Sequence, residues 1–388
     1  MIFLFKKGSY FYYAMANGMY YFSWGMFASI ISVYLSTIGC SSTDISLITS
    51  ASALFSIFTQ PLSGFLADKF KSPQKISVIC AVLAIFSGLA FACSQSFVFL
   101  FAFNGCTQGL LNGITALSDR LASSSPYPFG TIRVWGSVLY AAACQISGIV
   151  FEKISPSANY YIFAVGMFFM LIGFIGMHDA KPQKSMTSSS KVSTKEMVQV
   201  LWKNRSFKMF TLIYILFCGI SGAQGVYQPL LMTSLGGTPS LIGTTFLLSA
   251  LSELPMVLFS DKIMKRLSYK QLLIFACIMS MFRFAWYSTN PDPVWIMYAF
   301  FFQGTTTIVF IMVAVRITME LVDEKYVNSA YGISNMLAKG ASVVIFQIIC
   351  GQIVNKFGFS MMYHFAFVIM VIALILCLCF KMPERHRR

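Results

Sequence analysis

The sequence predicts an all-α membrane protein of twelve transmembrane helices in two six-helix halves. Three observations lead there. Of the 388 residues 57% are hydrophobic and only 11% charged, against about 25% charged in soluble domains. The apolar residues fall in runs of membrane-crossing length. Each crossing takes roughly 20 residues, which with short loops leaves room for about twelve. The least hydrophobic stretch, 178–206, lies near the middle and contains the Lys, Pro and Ser-rich segment 181–191, the composition of a solvated linker. The expected organisation is therefore a half at 1–177, a cytoplasmic linker at 178–206 and a half at 207–388.

In chain order, the runs fall at 9–36, 43–67, 75–94, 97–119, 130–151 and 158–177, then at 207–232, 240–260, 270–288, 293–317, 328–354 and 359–380. The first starts just after Lys6 and Lys7 and reads as a helix with no cleavable signal before it. Turns after runs 2, 4, 6, 8 and 10, with both termini, hold nearly all the Lys and Arg, while the opposite turns hold only Lys153 and Lys356. Basic loops stay in the cytoplasm, so both termini are expected there, in a multi-pass protein of the cell membrane. The same asymmetry accounts for the net charge of +15 without nucleic acid as a partner. Ten cysteines show no CxxC and no metal spacing; they read as small apolar residues, with neither a metal site nor a disulfide framework. No HExxH, GxSxG or Walker pattern is present, and no sizeable soluble domain, which counts against an enzyme.

The tight turns carry a pattern. Run 2 ends in Gln60-Pro61-Leu62-Ser63-Gly64-Phe65-Leu66-Ala67-Asp68-Lys69, followed by Lys71 and Lys75. Gly64 is expected to let a neighbouring backbone come close. Asp68 is suited to cap or pair at the turn, and the lysines hold it on the cytoplasmic side. Asp261-Lys262 recurs at the same place in the second half, a weak parallel repeat.

Polar residues inside the spans form stripes. Run 4 carries Asn104, Gln108, Asn112, Thr115 and Asp119 on one helical face; run 5 carries Arg133, Ser137, Tyr140, Cys144 and Ser147; run 8 carries Thr245, Ser249 and Glu253; run 11 carries Asn328, Tyr331, Asn335, Lys339 and Ser342. Run 7 adds Gln224 and Gln228, run 9 Arg283, and run 10 Gln303 and Thr307. A single Ser, Thr or Asn of this kind is as often interhelical glue as anything else. Whole stripes with charges, from both halves, are better explained by a water-filled cavity between the halves. Trp24 and Phe27 fit either that cavity or lipid. Trp295 reads as an interface anchor and His364 as structural.

The turn Gly64-x-Leu66-Ala67-Asp68-Lys69 resembles the signature between helices 2 and 3 of the major facilitator superfamily. Phe55 to Leu62 before it, and Phe129-Gly130-Thr131-Ile132-Arg133-Val134-Trp135-Gly136-Ser137 after it, resemble the lactose permease-like oligosaccharide–proton symporters and the related nucleoside and phenylpropionate permeases. The resemblance implies the major facilitator fold and a permease that rocks two halves about a central site. It implies a substrate-binding arginine at Arg133 and a stacking aromatic at Tyr140. Glu253, Arg283 and Lys339 fall where these families keep a helix 8 glutamate, a helix 9 arginine and a helix 11 lysine. There are departures: the helix 4 glutamate of lactose permease falls at Thr115, with Asp119 one turn lower. The helix 10 His and Glu are replaced near Gln303 and Thr306, and the helix 7 aspartates near Gly225 and Gln228. Lys339 has no aspartate partner. These changes count against lactose itself and require a proton relay of other parts.

The expected protein is a monomeric secondary transporter of a small polar solute, held in the lipid bilayer, with no cofactor beyond a coupling ion, expected to be H⁺. Sugar or oligosaccharide import by proton symport comes first, and a nucleoside or small aromatic acid permease second. A drug–proton antiporter is the remaining alternative; run 5 lacks the proline of the Gly-x-x-x-Gly-Pro motif such exporters carry. Expected substrate-binding residues are Arg133, Tyr140, Ser137, Asn112, Thr115, Asp119, Gln224, Gln228, Gln303, Asn335 and Lys339. Glu253 and Arg283 are expected to couple the proton, and Gly64, Asp68, Lys69, Asp261 and Lys262 to form the gate.

Overall fold

A computed structural model describes residues 6–179, 201–323 and 326–380; most of the expected linker, 180–200, lies outside the described residues. Each of the twelve apolar runs is helical. The helices are α1 (Tyr10–Ala28), α2 (Ile31–Thr37), α3 (Ser42–Lys69), α4 (Pro73–Ala92), α5 (Phe97–Ser123), α6 (Phe129–Lys153) and α7 (Ala158–Gly176), then α8 (Arg205–Ser234), α9 (Pro239–Leu258), α10 (Ser260–Arg266), α11 (Tyr269–Tyr287), α12 (Pro293–Leu321), α13 (Val327–Asn335) and α14 (Ser342–Cys379). Eight helical stretches among the described residues are long and apolar enough to cross a membrane. One of these, Ala330–Cys379, holds runs 11 and 12 together and breaks at Gly358, whose φ of 81° suits a residue without Cβ.

Local chemistry sets the helix ends. Ser41 and Asp44 form a capping box at α3, as Ser268 and Gln271 do at α11. Pro73 and Pro293 start α4 and α12 behind the caps Ser72 and Asp292, where a missing N–H costs nothing. Large apolar side chains face outward all along the spans, among them Phe58, Phe65, Phe86, Phe168, Phe282 and Leu378. A surface of that kind suits hydrocarbon, against which only internally hydrogen-bonded helices are stable.

The chain forms two compact units. The first holds α1 to α7, α8 from Gln228 onward and α9 up to Ala250; the second holds α8 up to Tyr227, α9 from Leu251, and α10 to α14. In the first unit α1 packs on α6 and α7, and α5 on α3 and α4. The α3–α5 contact is close because Gly105, Gly109 and Gly113 present no side chain. A Cβ on Gly105 would lie 2.6 Å from the ring of Phe55, and one on Gly113 would lie 3.0 Å from Ser63 Oγ. Phe27, Phe91, Tyr160 and Phe163 fill the core between α1, α4 and α7, with ring centroids 5.1–5.4 Å apart. At the start of α9 the Glu152 carboxylate, from α6, accepts the Ser240 amide at 3.0 Å, supplying one of the acceptors a helix N-terminus lacks. In the second unit α11 packs on α12 and α14, and Phe217 stacks on Phe310 at 4.0 Å.

Candidate functional site

The first unit gathers its candidates around Arg133, on the first turn and a half of α6. Its guanidinium donates to the Tyr21 hydroxyl and lies 4.2 Å from the centre of that ring. Asp119, near the C-terminal end of α5, stands 3.7 Å away. Both charged side chains are part-exposed, at 39% each, while the Asp119 Oδ1 nearest Arg133 is buried and has no hydrogen-bond partner among the described residues. Two turns along α6, Tyr140 meets Trp24 of α1 at 6.3 Å, and Trp24 meets Tyr20 and Tyr21. Trp24 thus belongs to this aromatic wall, whereas Phe27 is core. Ser137 is exposed on the same helix.

Other members of the run 4 stripe turn out to be occupied. Asn104 donates to the Ile48 carbonyl at 2.6 Å, and Asn112 to Ser56 Oγ and the Gln108 carbonyl, both at 2.9 Å. Thr115 shares a 2.5 Å hydrogen bond with the Tyr20 hydroxyl. The stripe therefore does two jobs. Asn104, Asn112 and Thr115 fasten α5 to α3 and α1, and Asp119 with its neighbourhood remains for a ligand.

The second unit contains a cavity of about 260 Å³ lined by α8, α12 and the turn after α13, including Cys218, Ser221, Gln303, Thr307, Phe310 and Lys339. Lys339 sits on a π-turn, Met336–Ala341, inserted between α13 and α14. Such a turn holds more residues than an α-turn and changes the angle at which a side chain leaves. Asn335, one turn earlier, instead accepts from the Tyr214 hydroxyl at 2.8 Å. Gln303 donates to Thr307 Oγ1 at 3.2 Å, and its carbonyl oxygen is buried with no partner among the described residues, as is Ser221 Oγ.

Arg283 is buried on α11 and donates to Gln224 Oε1 at 3.1 Å; its Nε and Nη1, and Gln224 Nε2, have no partner among the described residues. Glu253, on α9, is half-buried. Among the described residues no cation comes within 4 Å of its carboxylate, so the structure does not bring Arg283 or Lys339 to it. Gln228, fully buried, donates from Nε2 to Met232 Sδ within α8, while its Oε1 has no partner among the described residues.

At the expected gate, Asp68 pairs with Arg120 of α5 at 2.7 Å, while Lys69 lies 6.0 Å from the centre of the Phe70 ring. The expectation of a close backbone at Gly64 is corrected: nothing lies within 4 Å of a Cβ placed there. The close approach is made from the other helix, by Gly105, Gly109 and Gly113. Their spacing of four is a small-xxx-small signal that a reading centred on the turn passed over. Lys262 is exposed on α10; the Asp261 side chain lies outside the described residues.

A family model described as MFS_1 like family matches residues 11–381. The chain is similar to a maltose permease of Geobacillus stearothermophilus, with 25% identity over 371 residues that cover 94% of this chain and 93% of the relative. It is also similar to a probable 3-phenylpropionic acid transporter of Escherichia coli (strain K12), at 22% identity and covering 92% and 94%. Among solved structures, a mutant of the nucleoside transporter NupG matches with a TM-score of 0.86 at 15% identity, covering 95% of this chain and 98% of that one. A likeness at that identity speaks for the fold.

Proposed function

The chain belongs to the MFS_1 like family of membrane transporters, and from that premise we propose that it is a sugar or oligosaccharide permease working by proton symport. The observation that carries the reading is the Arg133–Asp119 pair beside the Trp24–Tyr140 wall. A pyranose offers hydroxyls at its edge and an apolar C–H face. The planar fork of an arginine and the lone pairs of a carboxylate bind the first, and a flat aromatic covers the second. The similarity to a maltose permease points the same way.

In this reading Glu253 carries the proton, since it is a carboxylate inside a span and free of a cation partner among the described residues. Asp68 and Asp261 act at the cytoplasmic gate. The protein works as a monomer in the cytoplasmic membrane, with both termini inside as the Lys and Arg distribution requires, and uses no cofactor besides the coupling ion. The two sequence halves, 1–177 and 207–388, act as the moving parts. A small aromatic acid is the second reading, favoured by the unpaired Lys339 and by the similarity to a phenylpropionic acid transporter.

Uptake of radiolabelled sugars, nucleosides and aromatic acids into vesicles holding the protein, with and without an imposed pH gradient, tests this. The expected result is gradient-stimulated uptake of a sugar. Uptake of none of these solutes under either condition overturns the transport assignment of substrate and coupling.

A further inference from the structure

We infer that Asp119 selects the charge of the solute: its carboxylate holds the place beside Arg133 that a solute carboxylate would take, so that the site admits neutral hydroxyl-bearing solutes and rejects acids. This rests on the sugar reading above and assigns its specificity to one residue. Arg133 and the aromatic wall do not decide between the two kinds of solute. A guanidinium fork binds hydroxyls and carboxylates alike. The Trp24–Tyr140 wall covers the C–H face of a sugar as well as the ring of an aromatic acid. What separates them is the net charge around the guanidinium.

The ionisable groups that face Asp119 are Arg133 of α6 and Tyr20 and Tyr21 of α1. Arg120, next along α5, is engaged by Asp68 at 2.7 Å. Arg133 and Asp119 therefore balance each other, and among the described residues no other cation comes within 4 Å of Asp119 to meet a second carboxylate. The hydroxyls of Tyr20 and Thr115 are committed to each other and to the Leu111 carbonyl. Asp119 Oδ1 stands 3.7 Å from Arg133 Nη1, beyond hydrogen-bond length, so it acts on the guanidinium through its charge and not through a hydrogen bond. A solute oxygen bonded to the same nitrogen, at about 2.9 Å, would lie within about 7 Å of Asp119 Oδ1. That is inside the Debye length of roughly 8 Å, so salt screens the two only in part. A hydroxyl at that place is neutral, whereas a carboxylate there meets a like charge. A repulsive group set against the wrong solute is one of the two routes to specificity.

The test is equilibrium binding to the purified full chain in lipid nanodiscs. The probes are glucose and glucuronate, which differ by one carboxylate, and 3-phenylpropionate. The proteins are wild type, Asp119→Asn, Asp119→Glu and the double variant that joins Asp119→Asn to Arg133→Gln. Wild type is expected to bind glucose at least about tenfold more tightly than glucuronate, the order of a like-charge contact at this range. Asp119→Asn is expected to raise the ratio of glucuronate to glucose affinity about tenfold, since the change removes the charge and keeps the shape. Asp119→Glu is expected to keep the wild-type ratio, and the double variant to lose the glucuronate binding gained. Equal affinity for glucose and glucuronate in wild type overturns the inference. An unchanged ratio in Asp119→Asn overturns it too and leaves Asp119 a positioning group. So does gained glucuronate binding that survives in the double variant, because the acid then sits away from Arg133. In these three outcomes glucose still binds and the sugar reading stands. Wild type that binds no glucose overturns the inference as well, and if it binds 3-phenylpropionate instead, the sugar reading falls with it.

Discussion

The two units differ in how the charged groups inside their spans are met, not in how many buried polar atoms lack partners. In the first, Arg133 donates to Tyr21 with Asp119 nearby, and Asn112 and Thr115 are hydrogen-bonded, while Asn104 and Gln228 each keep one unpartnered oxygen among the described residues. In the second, Arg283, Lys339 and Glu253 stand apart from one another, and Gln224, Gln303 and Ser221 keep unpartnered atoms among the described residues. Paired groups fix helices in place. Unpaired ones are a cost that persists only where something else, a proton or a solute, completes them. The proposed roles of Arg133 and Glu253 rest on this difference in charge pairing.

The strongest way to break that contrast is at Glu253. Glu253→Gln is expected to abolish accumulation against a gradient while leaving solute exchange across the vesicle membrane intact. Full gradient-driven accumulation by this variant would place proton coupling elsewhere. If exchange disappears as well, Glu253 belongs with the structural groups and the two units are alike after all.

Arg133 tests the first unit. Arg133→Lys keeps the charge but loses the planar fork and its seat on the Tyr21 ring. Binding is expected to weaken on the order of tenfold, the increment of a charge-assisted bond. Wild-type affinity in this variant would make the arginine an anchor for α6 instead of a ligand.

The scaffold is probed at Gly105. Gly105→Leu drives a side chain into Phe55, where a Cβ alone would lie 2.6 Å from the ring. Overpacking of that kind costs about 1–3 kcal/mol. A lower thermal unfolding midpoint is expected, without selective loss of proton coupling. An unchanged midpoint would show that α3 and α5 have slack.

Asp68→Asn is expected to have the smallest effect on stability, since the Asp68 side chain is 70% exposed and such ion pairs contribute at most about 1 kcal/mol. From the gate role proposed for Asp68, its turnover is nonetheless expected to fall more than its binding. Equal losses in both, measured by binding and by exchange rate, would point to misfolding.

The sequence by itself determined the spans, their ends and the family. A bilayer asks only for apolar length and internally satisfied backbone, and caps and proline positions such as Ser41 with Asp44, or Pro293, are local. The glycine spacing at 105, 109 and 113 was equally legible, since close approach needs nothing beyond absent side chains on one face. What only the tertiary structure decided was which polar groups are used up. Helical periodicity says which way Asn112 or Lys339 points along its own helix, and it carries no information about what stands opposite. Ser56 happens to stand opposite Asn112 and closes it. A π-turn re-aims Lys339 into a cavity, while Asn335 before it is taken by Tyr214. Trp24 joins Tyr140 and Phe27 sinks into the core, although both lie on one helix. The partner of a buried polar group is a property of the neighbouring helix, and helices meet only in the folded chain.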